Sequence, residues 1–144
     1  VKEINMDTVI VIMQKNKKTG LFEKELQTLN ISNFEQYILN IYALEDENNQ
    51  IFLNIKLTTP KDVLDWEYNA IYDYYDTNIF ESLDCSIKEC EEEYNPTWEL
   101  SLPYISDDTK LLDLVNNILQ IHYNELQEVY NVIKDKEGEY KNEE

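Results

Sequence analysis

The chain has 144 residues, of which 42% are hydrophobic and 12% aromatic, and its net charge is −18. This length suits a single domain, and the apolar content is sufficient for a core, which excludes an intrinsically disordered chain. With only two glycines and three prolines, long flexible linkers are excluded as well. We expect one domain over residues 1–137, followed by a charged, disordered tail over residues 138–144.

The sequence contains no recognisable membrane or export segment. Glu3 and Asp7 interrupt the first apolar positions, unlike a secretory signal, and no apolar run approaches the roughly 18 residues of a membrane span. Cys85 and Cys90 are the only cysteines, too few for a disulfide framework, so we interpret them as free thiols. These features predict a cytoplasmic protein that does not bind membranes.

The basic residues are all lysine, a bias typical of an AT-rich genome. Arginine is the side chain best suited to bidentate recognition of phosphate. Its absence, together with the negative net charge, argues against direct binding of nucleic acid.

The first 45 residues predict a hairpin followed by a short helix. Thr8–Gln14 and Leu21–Leu29 are strand-like runs on either side of turn residues 16–20. Ser32 and Glu35 then have the spacing of a capping box, which predicts a short helix that gives way to a strand near Ile41.

The middle of the chain predicts a second hairpin and a second helix. Ile51–Leu57 alternates apolar and polar side chains after a polar turn, which is the clearest strand pattern in the sequence. Thr59 and Pro60 resemble the cap and first position of a helix, which we expect to reach about Phe80.

The last third predicts a third hairpin and the longest helix. The strands of the hairpin are Ser86–Tyr94 and Thr97–Leu102, and the helix is expected from Ser106 to Gly138. The order of elements indicates an α+β fold, an antiparallel sheet built from hairpins and packed on one face against about three helices, including the long C-terminal helix.

The negative charge is local. Residues 1–60 carry a net charge of −2, whereas residues 61–100 hold twelve acids against two lysines and residues 101–144 hold ten against four. The second helix and the following hairpin are therefore the acidic part of the chain.

A helical projection places acidic residues on one line of the second helix, which we call the acidic ridge. It consists of Asp62, Asp65, Asn69, Asp73 and Asp76, with Trp66 and Tyr72 beside it. The opposite, core-facing side is expected to hold Val63, Leu64, Ala70, Ile71, Tyr74 and Tyr75. Glu91, Glu92 and Glu93 form a second acidic cluster.

The acidic ridge has two interpretations, a binding surface for a basic partner or a solvated face that keeps the protein soluble. Mimicry of nucleic acid is a further alternative, as in an inhibitor of a DNA-binding or nuclease complex. The ridge would carry about one charge per 5 Å, against about one per 1.7 Å in duplex DNA. Mimicry would therefore need the Glu91–Glu93 cluster packed beside it.

Glu67 is the only candidate for catalysis, because the projection places its carboxylate on the apolar side of the second helix. Burial there would raise its pKa and suit a general acid. A hydrogen bond to a tyrosine, or exposure on a curved helix, explains the same position. The sequence shows no catalytic motif and no cofactor motif.

Metal sites are weakly indicated. His122, the only histidine, lies on the apolar stripe of the last helix and is expected in the core. Cys85 and Cys90 are too few for structural zinc, and residues 45–49 lack the glycine and distal glutamate of a calcium loop. We expect no metal and no cofactor.

The apolar stripe of the last helix is broad, because Leu114, Ile121 and Val132 extend it to nearly half the circumference. It either forms a homodimer surface or fills a crevice between the sheet and a neighbouring helix.

The segment Asp65–Asp76, DWEYNAIYDYYD, after the strand Ile51–Leu57, resembles a family of small uncharacterised clostridial proteins. The resemblance covers roughly residues 8–130. It implies a domain of unknown function, without an activity or site residues, and favours a housekeeping or regulatory role over a one-off inhibitor.

Together these patterns predict a non-enzymatic, acidic protein-interaction domain with a basic partner. The expected contact residues are Asp62, Asp65, Trp66, Tyr72, Asp73, Asp76, Glu91, Glu92 and Glu93.

Overall fold

The computed structural model of the chain describes residues 8–141 and shows a six-stranded sheet packed against three helices. The strands are β1 (Thr8–Lys15), β2 (Phe22–Ile31), β3 (Ile38–Glu45), β4 (Ile51–Thr58), β5 (Ser86–Glu89) and β6 (Thr97–Pro103). The helices are α1 (Asp65–Tyr74), α2 (Asp108–Ile133) and α3 (Glu137–Lys141). The predicted α+β class, with its long C-terminal helix, is confirmed.

The strands lie in the order β2-β1-β3-β4-β6-β5. The three predicted hairpins are β1–β2, β3–β4 and β5–β6, and β4 also pairs with β6 in antiparallel fashion. One pair differs from the expected antiparallel sheet, because β1 and β3 run parallel through Gln14–Ala43 and Lys15–Leu44. The β1–β2 hairpin places β2 at the edge, so β1 meets the next hairpin.

The core lies between one face of the sheet and the helices. Leu53, Ile55 and Leu57 of β4 are buried there, in keeping with the alternation that predicted this strand. On β1, Ile10 and Ile12 face the core, whereas Val9 and Val11 are exposed on the other face. Within residues 8–141 no helix is both long and apolar enough to cross a bilayer.

Helix α2 supplies the largest helical contribution to the core. Its stripe is fully or nearly fully buried at Leu111, Val115, Ile118, Leu119, His122, Leu126, Val129 and Ile133. The helix is capped by Asp107, whose carboxylate accepts the Lys110 N–H at 2.9 Å. It ends at Ile133, before the predicted stop at Gly138, which instead belongs to α3.

Helix α3 lies where the sequence predicted part of a disordered tail. Residues 138–141 were predicted to be disordered, yet they are helical. The Tyr140 ring lies 6.3 Å from that of Trp66 on α1, which gives α3 a packing partner. The rest of the tail, residues 142–144, lies outside the described residues.

Two predicted helix starts are wrong, because tertiary contacts override local capping signals. Only a 3-10 turn, Glu35–Tyr37, follows Ser32, and Phe34 before it has a left-handed φ of 66° and no side-chain cap. The Phe34 ring stacks on Tyr123 of α2 at 4.4 Å, which fixes this turn against the helix.

Helix α1 likewise begins at Asp65 rather than after Pro60. Strand β4 continues to Thr58, and the Thr59 hydroxyl donates to the Lys61 carbonyl at 3.0 Å instead of capping a helix. The helix also ends at Tyr74, well before Phe80, where a separate 3-10 turn, Thr77–Phe80, follows.

Candidate functional site

Helix α1 lies beside the loop that joins β5 to β6, residues 90–96, and two tyrosines connect them. The Tyr68 hydroxyl lies 3.1 Å from the Glu91 carbonyl oxygen and 3.2 Å from that of Glu93. The Tyr72 hydroxyl lies 3.1 Å from the Thr97 carbonyl oxygen and accepts the Thr97 N–H at 2.8 Å. These bonds hold the helix and the loop at a fixed separation.

Two adjoining cavities open between the helix and the loop. One, of about 490 Å³, is lined by Tyr68, Asn69, Tyr72, Asp73, Glu89 and Glu91. The other, of about 240 Å³, is lined by Val63, Leu64, Asp65, Tyr68, Asn69 and Tyr94. Tyr68 and Asn69 line both cavities, and we call the two cavities together the α1 groove.

One end of the α1 groove is strongly acidic. Burial raises the pKa of Glu89 above its ordinary value, and the carboxylates of Glu91 and Asp73 raise it further. None of the ion pairs among residues 8–141 includes Asp73, Glu89 or Glu91. The Tyr140 hydroxyl donates to Asp73 at 2.6 Å, which stabilises this carboxylate without bringing a positive charge to it.

Aromatic rings line the groove beside these carboxylates. The Tyr68 and Tyr72 rings meet edge to face, with centroids 5.2 Å apart. Burial raises the pKa of Tyr72 well above its ordinary value, so the phenol stays neutral. Carboxylates next to aromatic faces suit a lysine or arginine side chain, which the charges attract and the rings can contact by cation–π interaction.

The chain matches the sequence model of a family of unknown function (DUF6762) over residues 6–141. It belongs to this family. The resemblance drawn from residues 65–76 is thereby confirmed at the level of a domain of unknown function, and a clostridial source stays a prediction. The searches of curated proteins and of solved structures found no match.

In this DUF6762 domain the predicted acidic ridge is shorter than expected, because α1 spans only Asp65–Tyr74. Asp65, Asn69 and Asp73 keep one exposed line of the helix. Asp62 precedes the helix and accepts an amide hydrogen of Asn95 at 3.0 Å. Asp76 follows it and accepts the Asn78 N–H at 2.9 Å, so it caps the 3-10 turn.

The three residues of the second acidic cluster, Glu91–Glu93, lie in different environments along the loop. Glu91 lines the α1 groove, and Glu92 is exposed outside the cavities described above. Glu93 is half-buried and forms an ion pair of 3.0 Å with Lys56 on β4. Of the three carboxylates, only that of Glu91 joins Asp73 in the groove.

The two aromatic residues predicted beside the ridge have structural roles. Trp66 is only 8% exposed, although it lines a further cavity with Leu64 and Tyr94, and its role in binding stays a prediction. Tyr72 lines the groove, but its hydroxyl is used within the fold. Leu64 and Tyr74, both predicted in the core, are 61% and 41% exposed, and Leu64 lies before the helix because the helix starts later than expected.

Glu67 is half-buried on α1 and caps its first turn. Its carboxylate accepts the Leu64 N–H at 2.8 Å, which satisfies one of the free backbone donors at the helix start. It also lies close enough to Tyr130 of α2 to raise the pKa of that phenol. Helix capping accounts for the position of this carboxylate on α1.

His122 is completely buried and part of a hydrogen-bonded chain. Its Nε2 lies 2.9 Å from the Thr58 carbonyl oxygen, which can only accept, so Nε2 donates and Nδ1 accepts from the Tyr75 hydroxyl at 2.8 Å. Burial lowers the pKa of His122 to about 4. The predicted core histidine is confirmed.

The weak metal candidates have other roles in the fold. Cys85 and Cys90 are free thiols whose pKa values are raised by burial. In the turn before β4, Asp46 accepts the N–H groups of Asn48 and Gln50. Across residues 8–141, no three or more His, Cys, Asp or Glu side chains are arranged to hold a metal ion.

The broad stripe of α2 is largely accounted for by packing within the domain. Leu114 and Ile121 are half-buried against the core, whereas Val132 is 45% exposed. Association of two copies through α2 stays a prediction.

Sequence reasoning missed several residues of the α1 groove, namely Leu64, Tyr68, Glu89 and Tyr94. The spacing of Tyr68 and Tyr72 on one helix face was available as a signal. Glu89 and Tyr94 gave none, because both were assigned to a continuous strand, Ser86–Tyr94, whereas β5 ends at Glu89.

Proposed function

We propose that the protein is a non-enzymatic protein-interaction domain whose α1 groove binds a basic segment of a partner protein. The observation that carries the proposal is the convergence of Asp73, Glu89 and Glu91 on one cavity beside two tyrosine rings. Like charges held together raise the free energy of the isolated domain, and a lysine or arginine side chain between them would lower it. The groove is therefore better suited to a cationic ligand than to water alone.

The arrangement does not favour mimicry of nucleic acid. Only Asp65 and Asp73 remain as acids on the exposed line of α1, so the charge density on the helix is lower than the sequence indicated. The other groove carboxylates converge on Asp73 rather than forming a second row a groove's width away.

The proposal includes a cytoplasmic location and a clostridial type of source. The two free thiols support a reducing compartment, and the lysine-only basic composition supports an AT-rich genome.

The proposal is tested by affinity capture from a lysate of the source organism with matched charge variants. The groove variant carries Asp73→Asn, Glu89→Gln and Glu91→Gln. The control variant carries Glu81→Gln, Asp113→Asn and Glu128→Gln, three exposed acids outside the groove. Both variants lose three negative charges, so they differ only in where those charges lie.

We expect the wild type and the control variant to retain the same basic partner at low salt, and the groove variant to lose it. High salt should release the partner from the wild type and the control variant as well, because ionic contacts at an exposed groove are screened. Equal capture by the two variants, or no partner for the wild type at low salt, would contradict the proposal.

A further inference from the structure

The face of the sheet opposite the helices, which we call the outer face, carries exposed apolar side chains. Helices α1 and α2 both pack on the core face, where Tyr75 at the end of α1 stacks on Trp98 of β6. Val9 and Val11 of β1 point the other way and are 61% and 41% exposed. Phe22 on the neighbouring strand β2 is 49% exposed. The helices therefore leave an apolar part of the sheet in contact with water.

The apolar surface continues from β2 onto β3 and β4. Tyr42 and Leu44 lie on either side of the core residue Ala43, so both face outward. Phe52, the partner of Leu44 on β4, faces outward with them. The rings of Phe22 and Tyr42 meet edge to face, with centroids 6.1 Å apart. Of these five residues only Ala43 belongs to the hydrophobic core, so the outer face has an apolar cluster of its own.

Strand β1 has the sequence of a strand that is buried on both faces. Its residues 9–13, Val-Ile-Val-Ile-Met, are apolar without interruption. A strand with one solvated face normally alternates apolar and polar side chains, whereas a continuous apolar run is typical of strands that are covered on both sides. The described helices cover only the core face of β1. Its outer face is therefore an interaction surface.

The distribution of charge identifies the partner that this surface fits. Residues 1–60, which include β1 to β4, contribute −2 to the net charge, and the rest of the chain contributes −16. On the polar side of the outer face, Lys56 pairs with Glu93 at 3.0 Å and Lys88 with Glu99 at 3.5 Å. A nearly neutral surface with both signs at its edge is complementary to itself, whereas a strongly basic partner is attracted to the acidic helices instead.

The outer face is also large enough for a specific interface. A strand of eight residues is about 26 Å long and six strands side by side span about 28 Å, so the face covers on the order of 700 Å². Specific complexes bury about 800 Å² on each partner. Two sheets pack face to face about 10 Å apart, and a two-fold axis lets both copies use the same surface.

We infer that the outer face is a homodimer interface, in which the sheets of two copies pack on each other and bury Val9, Val11 and Phe22 of each copy. This contact lies on the other side of the sheet from α2, so it differs from a dimer through the last helix. It does not involve the carboxylates of the α1 groove, and it goes beyond the proposed basic partner.

The inference is tested by sedimentation equilibrium between about 1 and 100 μM protein, a range that covers the weaker interfaces of this size. We expect the wild type to become dimeric within this range. The dimer should be as strong or stronger at high salt, because salt screens the repulsion between two copies of charge −18 while the apolar contact persists. Association that weakens with salt would reveal an ionic contact and overturn the inference.

Two matched variants locate the interface. Val9→Lys with Val11→Lys should be monomeric throughout the range, although it lowers the net negative charge and with it the general repulsion. Asn131→Lys with Val132→Lys, exposed residues of α2, makes the same change in charge and should dimerise as the wild type does. Circular dichroism and thermal unfolding check the fold of each variant.

A milder variant keeps the test decisive if lysine disturbs β1. Val9→Thr with Val11→Thr retains two β-branched side chains, and burial of its four hydroxyls in the dimer should weaken association about tenfold or more. A monomeric wild type would overturn the inference and assign the outer face to a different protein. Equal dimerisation of the wild type and the threonine variant, or loss of the dimer in the α2 variant alone, would overturn it as well.

Discussion

The α1 groove and the His122 chain both combine tyrosines with titratable groups, yet they are opposite in character. Both ring nitrogens of His122 are hydrogen-bonded, and the ring centroids of Tyr37, Tyr75 and Trp98 lie within 5.7 Å of the imidazole. In the groove three carboxylates face one cavity without an ion pair among the described residues. On the proposed function, the His122 chain serves stability and the groove is available for a ligand.

The largest effect that would sharpen this contrast is a truncation at the buried cluster. His122→Ala leaves the Tyr75 hydroxyl and the Thr58 carbonyl without their partner and creates a cavity, so we expect a loss of about 3 kcal/mol in the free energy of unfolding. Urea unfolding measures it. A loss below about 1 kcal/mol would show that the chain contributes little to stability.

The pH dependence of stability should come from the same histidine. The pKa of His122 is about 4 in the folded state, below about 6.5 for an unfolded histidine, so the unfolded chain binds the proton first. Stability should therefore fall by about 3 kcal/mol as the pH drops from about 6.5 to about 4.

His122→Gln is the control for this titration, since it removes the titrating group. Glu89 and Glu125 have raised pKa values and act in the opposite direction, so the difference between wild type and variant isolates the histidine. Parallel pH profiles of the two proteins would refute the assignment.

A smaller effect is expected where the groove is tied to the sheet. Tyr72→Phe removes the acceptor of the buried Thr97 N–H, which should cost about 1–2 kcal/mol and loosen residues 90–96. Hydrogen exchange at the Thr97 amide should speed up more than exchange within α2. Unchanged exchange at this amide would mean that the tyrosine does not hold the loop.

The smallest effect on stability is expected in the groove itself. The variant with Asp73→Asn, Glu89→Gln and Glu91→Gln should be as stable as wild type or more stable by less than about 1 kcal/mol, because repulsion between exposed carboxylates is relieved. Thermal unfolding beside the control triple variant measures this. Clear destabilisation by the groove variant alone would assign these carboxylates to the fold and remove the contrast.

Much of the fold was predictable because burial imposes periods on the sequence. The alternation of Ile51–Leu57 and the stripe of α2 both identified core faces that the structure contains. The predictions that helices start at Ser32 and Thr59 were wrong. At Ser32 the local capping signal competes with the Phe34–Tyr123 stack, and at Thr59 it competes with the extension of β4. Such contacts join distant parts of the chain and leave no local pattern.

Of the candidate site, the sequence could predict only the side formed by α1. Asp65 and Asp73 share a helix face, so their proximity follows from the helical period. Glu89 and Glu91 reach the same cavity because β5 ends early and the loop is held against α1 by the hydroxyls of Tyr68 and Tyr72. The convergence of charge is therefore a property of tertiary structure.

The most direct test of the account is to map where a cation binds, by two-dimensional NMR titration of the wild-type protein with trilysine at low salt. The account predicts that shifts concentrate at Tyr68, Asn69, Asp73, Glu89 and Glu91, and that they disappear in the groove variant but persist in the control variant. Shifts distributed over all exposed acidic residues, and equal in both variants, would contradict the claim that the α1 groove is the binding site.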